Sequence, residues 1–292
     1  MKSKDQKIIN GISWIMLSAA AITCIVPLLM IISISFTSEK SIIEYGFSFI
    51  PRTFSTDAYK ILFKNPKQLI DAYSVTFFTT IVGTLLSVII SGQVSYTLSR
   101  RKYFLNKQLS LLIYFTMLFS GGIVPTYILV TQYLHLKNSL WAIIILGLIS
   151  PWNVFLLKSF FEAIPESLIE SAKLDGASEL RILYQIVLPL SLGGIATVAI
   201  TVGLSYWNEW YNNMLYISEP TKYSLQYLLQ TQLSKVDMLK QMSMAGQTSD
   251  VVMPEESYRM AICLIAAGPI AVIFLFFQKY FVKGVTVGAV KG

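Results

Sequence analysis

Residues 170–190 read ESAKLDGASELRILYQIVLPL. Glu170, Lys173, Asp175, Glu179 and Arg181 crowd into this stretch, yet long uncharged apolar runs lie on both sides of it. A polar island between apolar runs marks a place where the chain leaves an apolar medium. The side on which it emerges therefore decides the topology.

Working outward, the composition points to a bilayer. Hydrophobic residues make up 54% of the chain and charged residues only 13%, against about 25% charged in an average soluble domain. Six stretches approach the roughly 20 apolar residues that a helix needs to cross the hydrocarbon core: 12–36, 74–98, 109–133, 139–157, 190–211 and 260–281. The runs are continuous and lack the alternation of a lipid-facing strand, which predicts helices rather than a barrel. The expected fold class is all-α: a polytopic membrane protein with six transmembrane helices in one domain, 1–292. A polar loop spans about 159–189 and an outer loop about 212–259.

The apolar run at the N-terminus is longer than a signal-peptide core and lacks an A-x-A-like cleavage site, so it reads as a retained first helix. Cys24 follows "AIT", but Thr23 fits a lipidation site poorly. Cys24 and Cys263 both lie in apolar runs, where thiols behave as small hydrophobes. His135 is the one histidine and cannot form a metal or catalytic cluster alone.

With the N-terminus cytoplasmic, 13 of the 23 Lys and Arg fall on the inner side. Most of the others are spread over long loops that translocate with little regard to charge. The compact "SRRKYFLNK" after the second span is the strongest vote. Both termini and the 159–189 loop are thus expected in the cytoplasm of a cell-membrane protein. The net charge of +7 reflects that orientation, and no nucleic-acid partner is implied.

Gly83, Ser87, Ser91 and Ser95 make a small-residue stripe that lets another helix approach closely. In "FSGGIVPTY", Gly121, Gly122 and Pro125 predict a kink in the third span. Within the polar loop, Pro165 suits a helix start and Glu166 its first turn. Gly176 can close that helix in a left-handed conformation, and Ser178 can cap the next one. Leu168, Ile169 and Ala172, then Leu180, Leu183, Tyr184 and Val187, recur at helical spacing. The expectation is an amphipathic hairpin with an exposed apex. Its acidic residues disfavour an anionic leaflet and favour a groove on a protein partner.

Glu170, Ala172, Asp175, Gly176, Ala177, Ile186, Leu188 and Pro189 follow the EAA-loop pattern of ABC importer permeases, with Ser171 in place of the first Ala. "SYTLSRRKY", "WNEWYNNMLYI", "ESYRMA" and "FQKYFVKGVTVGAVKG" extend the likeness over nearly the whole chain. The chain resembles the MalG-like, LplC-type branch that imports sugars and oligosaccharides. The resemblance implies a type I importer fold, a second homologous permease, two ATPase subunits and an extracellular solute-binding protein. The loop would be the coupling helix seated in an ATPase cleft, with Gly176 at the close approach and Glu170, Asp175 and Arg181 pairing with the ATPase. The tail, with Lys291 and Gly292, would reach the same subunit.

For a sugar path, "YWNEWYNN" supplies Tyr206, Trp207, Asn208, Glu209 and Asn212, and Tyr127 joins them from the third span. An interfacial aromatic belt is the competing reading. Glu209, at the edge of a span, is expected to face protein or water. No span carries Lys or Arg in its interior, which suits neutral oligosaccharides. In the outer loop, leucines at 225, 228, 229, 233 and 239 predict a helix at the outer mouth. No G-x-x-x-x-G-K-[ST] loop is present, so the chain is expected to be non-catalytic, with ATP and magnesium held by the partner ATPase. A secondary transporter would show ionisable midplane residues or inverted repeats, and neither is visible. An ABC importer permease for another small solute, such as an amino acid, is the nearest alternative.

Overall fold

A computed structural model of the chain describes residues 4–100, 103–244 and 254–289. The expected tail contacts, Lys291 and Gly292, lie outside the described residues. Among those described, the regular elements are helical, apart from an antiparallel bridge between Thr37 and Phe54.

The long helix α1 (Lys4–Ser35) is followed by the short α2 (Glu39–Tyr45) and α3 (Asp57–Leu62), then by α4 (Pro66–Ser99). Next come α5 (Asn106–Leu118), α6 (Ile123–Ile128, widening into a π turn to Tyr133), α7 (Leu140–Leu146) and α8 (Pro151–Glu162). The polar loop holds α9 (Glu166–Leu174) and α10 (Glu179–Ile182), which runs through a π stretch, Leu183–Val187, into α11 (Leu188–Leu190). The chain continues through α12 (Leu192–Trp207), α13 (Tyr211–Tyr216), α14 (Leu225–Met244) and α15 (Glu255–Ala289).

Among the described residues, three of the expected spans are single helices long and apolar enough to cross a bilayer: Ile9–Ser35, Pro66–Ser99 and Glu255–Ile273. The other three are bent pairs, each passing the same test only as a pair. The 109–133 run, expected as a kinked helix, breaks at Phe119–Gly122 and turns by 112°. Gly122 sits there at φ 86°, which a side chain would resist.

The 139–157 run, expected to be continuous, breaks before Pro151 and bends by 51°. Ser150 precedes that proline and is driven into an extended conformation, φ −105° and ψ 122°. The fifth span turns by 85° at Ser191, two residues beyond Pro189. Pro189 has no N–H to offer the carbonyl four residues back, and the helix widens into its π stretch just before it.

The described residues sort into two compact units, one holding the chain up to Pro66 with Leu229–Pro269, the other holding Lys67–Leu228 and the chain from Ile270. In the second unit, Leu157, Phe161, Ile169, Ile182, Val187, Val198 and Tyr206 share one buried cluster, so the polar loop is packed into the same core as the spans. By contrast, α5 buries none of its side chains and exposes Leu111, Leu112, Phe115 and Leu118. In α1, Trp14, Ile15, Met16 and Leu17 are likewise exposed. Apolar surface on this scale is stable against lipid or another apolar surface and not in water. The chain is a multi-pass, all-α membrane protein.

Candidate functional site

The hairpin at 166–190 is closed by its own backbone. The N–H of Gly176 donates to the carbonyl of Lys173 at 3.0 Å, and the N–H of Ala177 to that of Ala172 at 2.9 Å. This paired pattern around a left-handed residue, Gly176 at φ 77°, is the Schellman ending. Ala172 and Ala177 are half-buried against the core, which supplies the apolar contact that usually accompanies it. The next helix opens on Ser178, whose hydroxyl accepts the Arg181 N–H at 3.3 Å. Pro165 caps α9 from outside, so the helix proper begins at Glu166.

Leu174 stands at the tip, 89% exposed, beside exposed Asp175 and Gly176. Arg181 is also exposed, and its Nε donates to Gln185 at 2.9 Å. Leu188 is half-buried and Pro189 exposed. The expected apolar face is only partly the observed one. Leu183 and Val187 are buried, but Leu180 is 63% exposed and Tyr184 is exposed, while Ile182 goes inside. With a single α turn before the π stretch begins, the 3.6-residue period does not hold through this segment.

Glu179 fastens the hairpin. Lys173 on α9 lies 2.5 Å from one carboxylate oxygen, and the Tyr96 hydroxyl on α4 donates to the other at 2.5 Å. The Arg100 guanidinium stacks over the Tyr96 ring, 4.4 Å from its centroid. Burial pushes the Glu179 carboxyl up, but the bonds from Lys173 and Tyr96 and the charges of Lys173 and Arg100 outweigh it and hold it below the ordinary range. Glu170 faces the same recess, of about 1060 Å³, together with Tyr96, Arg100 and Glu166.

A second cavity, of about 390 Å³, is lined by Ser150, Asn153, Thr201, Ser205, Tyr206, Glu209 and Asn212, with apolar Ile143, Leu146 and Ile149. Its lining holds one carboxylate and no Lys or Arg. Asn212 donates through its backbone N–H to one oxygen of Glu209 at 2.7 Å and through its amide to the other at 3.1 Å. Glu209 is thus held by Asn212, and the Tyr206 hydroxyl donates to the Ile144 carbonyl at 2.7 Å.

Of the six expected path residues, the structure gathers Tyr206, Glu209 and Asn212 around this cavity and puts three elsewhere. Trp207 is 1% exposed and meets Phe77 edge-on at 5.3 Å. Asn208 accepts a bond from Gln226 at 3.3 Å. Tyr127 stacks on Tyr216 in a separate cluster, ring centroids 5.7 Å apart. Sequence reading missed Ser150 and Asn153, which reach the cavity because the chain breaks before Pro151. The X-Pro step was the available signal.

Residues 83–287 match the family described as the binding-protein-dependent transport system inner membrane component. The chain is 39% identical over 272 residues, 93% of its length and 94% of the relative's, to the polygalacturonan/rhamnogalacturonan transport system permease protein YtcP of Bacillus subtilis. It is 36% identical to Protein LplC of the same organism over 292 residues, covering 99% of this chain and 97% of that one. It also superposes on a chain of a bacterial ABC transporter involved in the import of the acidic polysaccharide alginate. There the TM-score is 0.80 at 25% identity, over 96% of this chain and 99% of that one. With bent spans, a closed polar hairpin and this match over most of its length, the chain belongs to the binding-protein-dependent transport system inner membrane components.

Proposed function

We propose that this chain is the permease subunit of an ATP-driven ABC importer and forms half of the path by which a sugar or oligosaccharide crosses the cell membrane. The observation that carries the reading is Leu174, a leucine 89% exposed at the apex of a Schellman-closed hairpin. An apolar side chain fixed in that position calls for a cleft on a partner. In this reading the cleft belongs to an ATPase subunit, which binds ATP and magnesium, while this chain carries out no chemistry. Glu170, Asp175 and Arg181 flank the apex as charged contacts, and Lys291 and Gly292 add a tail contact.

Both termini and the hairpin then face the cytoplasm. A second, homologous permease completes the path, and an extracellular binding protein delivers the cargo. The hydroxyl- and amide-rich cavity around Tyr206, Glu209 and Asn212 offers the mixed hydrogen bonding and aromatic contact that sugars need. The transport roles in the relatives' names support a carbohydrate cargo.

The test is reconstitution of the chain with its cognate permease, ATPases and binding protein in vesicles. Uptake of an oligosaccharide should depend on ATP and on the binding protein. Retention of an amino acid rather than a sugar by that binding protein would replace the cargo class, and ATP-independent uptake would remove the importer reading.

A further inference from the structure

We propose that Tyr96, Glu179 and Lys173 form a tie that carries displacement of the hairpin into α4, so that Tyr96 and Glu179 are positioning residues for coupled transport. The proposal rests on the importer reading above and assigns it a transmission route. One carboxylate joins three elements: Lys173 from the first arm of the hairpin, Glu179 itself at the start of the second, and the Tyr96 hydroxyl near the end of α4. Both arms must therefore move with α4 or break a charge-assisted bond, the stronger class of hydrogen bond.

The α4 end of the tie is anchored. Tyr96 is 6% exposed within the buried cluster, and Arg100 covers its ring. Beside it, the Ser95 hydroxyl donates to the Val154 carbonyl of α8 at 2.8 Å. Gln93 on α4 also donates to the Tyr184 hydroxyl of the hairpin at 3.0 Å, a bond that is solvent-exposed.

The far end of the route is the smaller cavity. Gly83 lies on α4, thirteen residues before Tyr96, or about 20 Å along a helix rising 1.5 Å per residue. It abuts the ring of Tyr206, which is a cavity wall. A rigid helix fastened at one end to the hairpin and packed at the other against that wall is a physical connection between docking knob and cavity, whereas mere proximity would not be.

The experiment uses the reconstituted complex with Tyr96→Phe, Glu179→Gln, the double variant, and the charge swap Lys173→Glu/Glu179→Lys. In the wild type, loaded binding protein should stimulate ATP hydrolysis. Tyr96→Phe and Glu179→Gln should each cut that stimulation and uptake by about tenfold, within the usual span of coupling between sites. Basal hydrolysis and co-purification should stay unchanged, and the double variant should be no worse than the weaker single one. The charge swap restores the Lys–Glu pair but leaves Tyr96 without an acceptor, so it should stay uncoupled. Normal stimulation in Tyr96→Phe, or in the swap, overturns the tie. Loss of assembly in Tyr96→Phe overturns it as well, because the bond would then serve construction.

Hydrogen exchange on the purified chain separates this proposal from the reading beneath it. With the tie in place, Tyr96→Phe raises exchange in both α9 and α10, and unchanged exchange overturns the tie whether or not the wild-type complex transports sugar. A wild-type complex without coupled hydrolysis refutes the importer reading alone.

Discussion

The ring of Tyr206 fills the space that a β-carbon on Gly83 would need: a carbon built there would lie 2.5 Å from Cζ. Gly147 meets the same ring, its built β-carbon 2.7 Å from the phenolic oxygen, and the hydroxyl donates to the Ile144 carbonyl at 2.7 Å. One side chain on α12 thus seats α4 and the α7–α8 break against each other. Larger residues at either glycine would push out a cavity wall.

Gly83→Ala is accordingly expected to destabilise the protein by about 1–3 kcal/mol, the usual cost of overpacking. Tyr206→Ala carries its own cavity cost, but the combined variant should lose less than the sum, because the added methyl then has room. Thermal midpoints in detergent give the comparison. Strict additivity would show that ring and glycine do not compete for the same volume.

At Gly176 the constraint is of another kind. Nothing lies within 4 Å of a β-carbon built there, but φ is 77°. Gly176→Ala should therefore cost about 1–2 kcal/mol through backbone strain alone, and Gly176→Asn less, since Asn tolerates this conformation. In the isolated chain Gly176→Trp should resemble Gly176→Ala. In the assembled importer it should in addition abolish ATPase binding, because the empty space becomes the partner's. Pull-down of the ATPase with all three variants reads both effects, and ATPase retained by the Trp variant would remove the apex from the interface.

Glu39, 8% exposed, accepts the N–H groups of Glu256 and Ser257 at 3.0 and 3.2 Å and the Ser257 hydroxyl at 3.1 Å. It caps the start of α15, where carboxylates are favoured by the unpaired N–H groups and the helix dipole. Glu39→Ala should cost about 1–3 kcal/mol by leaving buried donors unpaired, and Glu39→Gln less. Faster hydrogen exchange at Glu256 and Ser257 is the local readout, and unchanged protection there would count against the cap.

The contrast among these sites explains what was legible in the sequence. The six apolar runs and the hairpin could be read because hydropathy is additive along the chain and because Gly176, Ser178 and Pro165 act on neighbouring backbone. The hairpin's faces were misread at Leu180 and Tyr184, since a π stretch changes the period that such a reading assumes. Glu39 on α15 and Tyr206 on Gly83 were illegible for a different reason: each pairs residues more than a hundred positions apart, and no local pattern records the partner. Tyr127 and Trp207 look like binding aromatics by type, but their packing against Tyr216 and Phe77 belongs to tertiary structure.

Ser205 is an exposed residue lining the smaller cavity and lies beside Tyr206 without being its structural support. Ser205→Trp should fill much of the 390 Å³, since an indole adds far more volume than the hydroxymethyl it replaces. If sugar passes here, uptake should fall by more than about tenfold, a loss equal to about 1.4 kcal/mol in the barrier. Basal ATP hydrolysis should persist, because the hairpin is untouched. Ser205→Ala, which removes one hydroxyl and adds no bulk, should instead shift KM with little change in maximal rate, as expected when ground-state and transition-state binding are lost together. Full uptake by the Trp variant would place the path elsewhere and leave the cavity as a packing feature around Glu209 and Asn212.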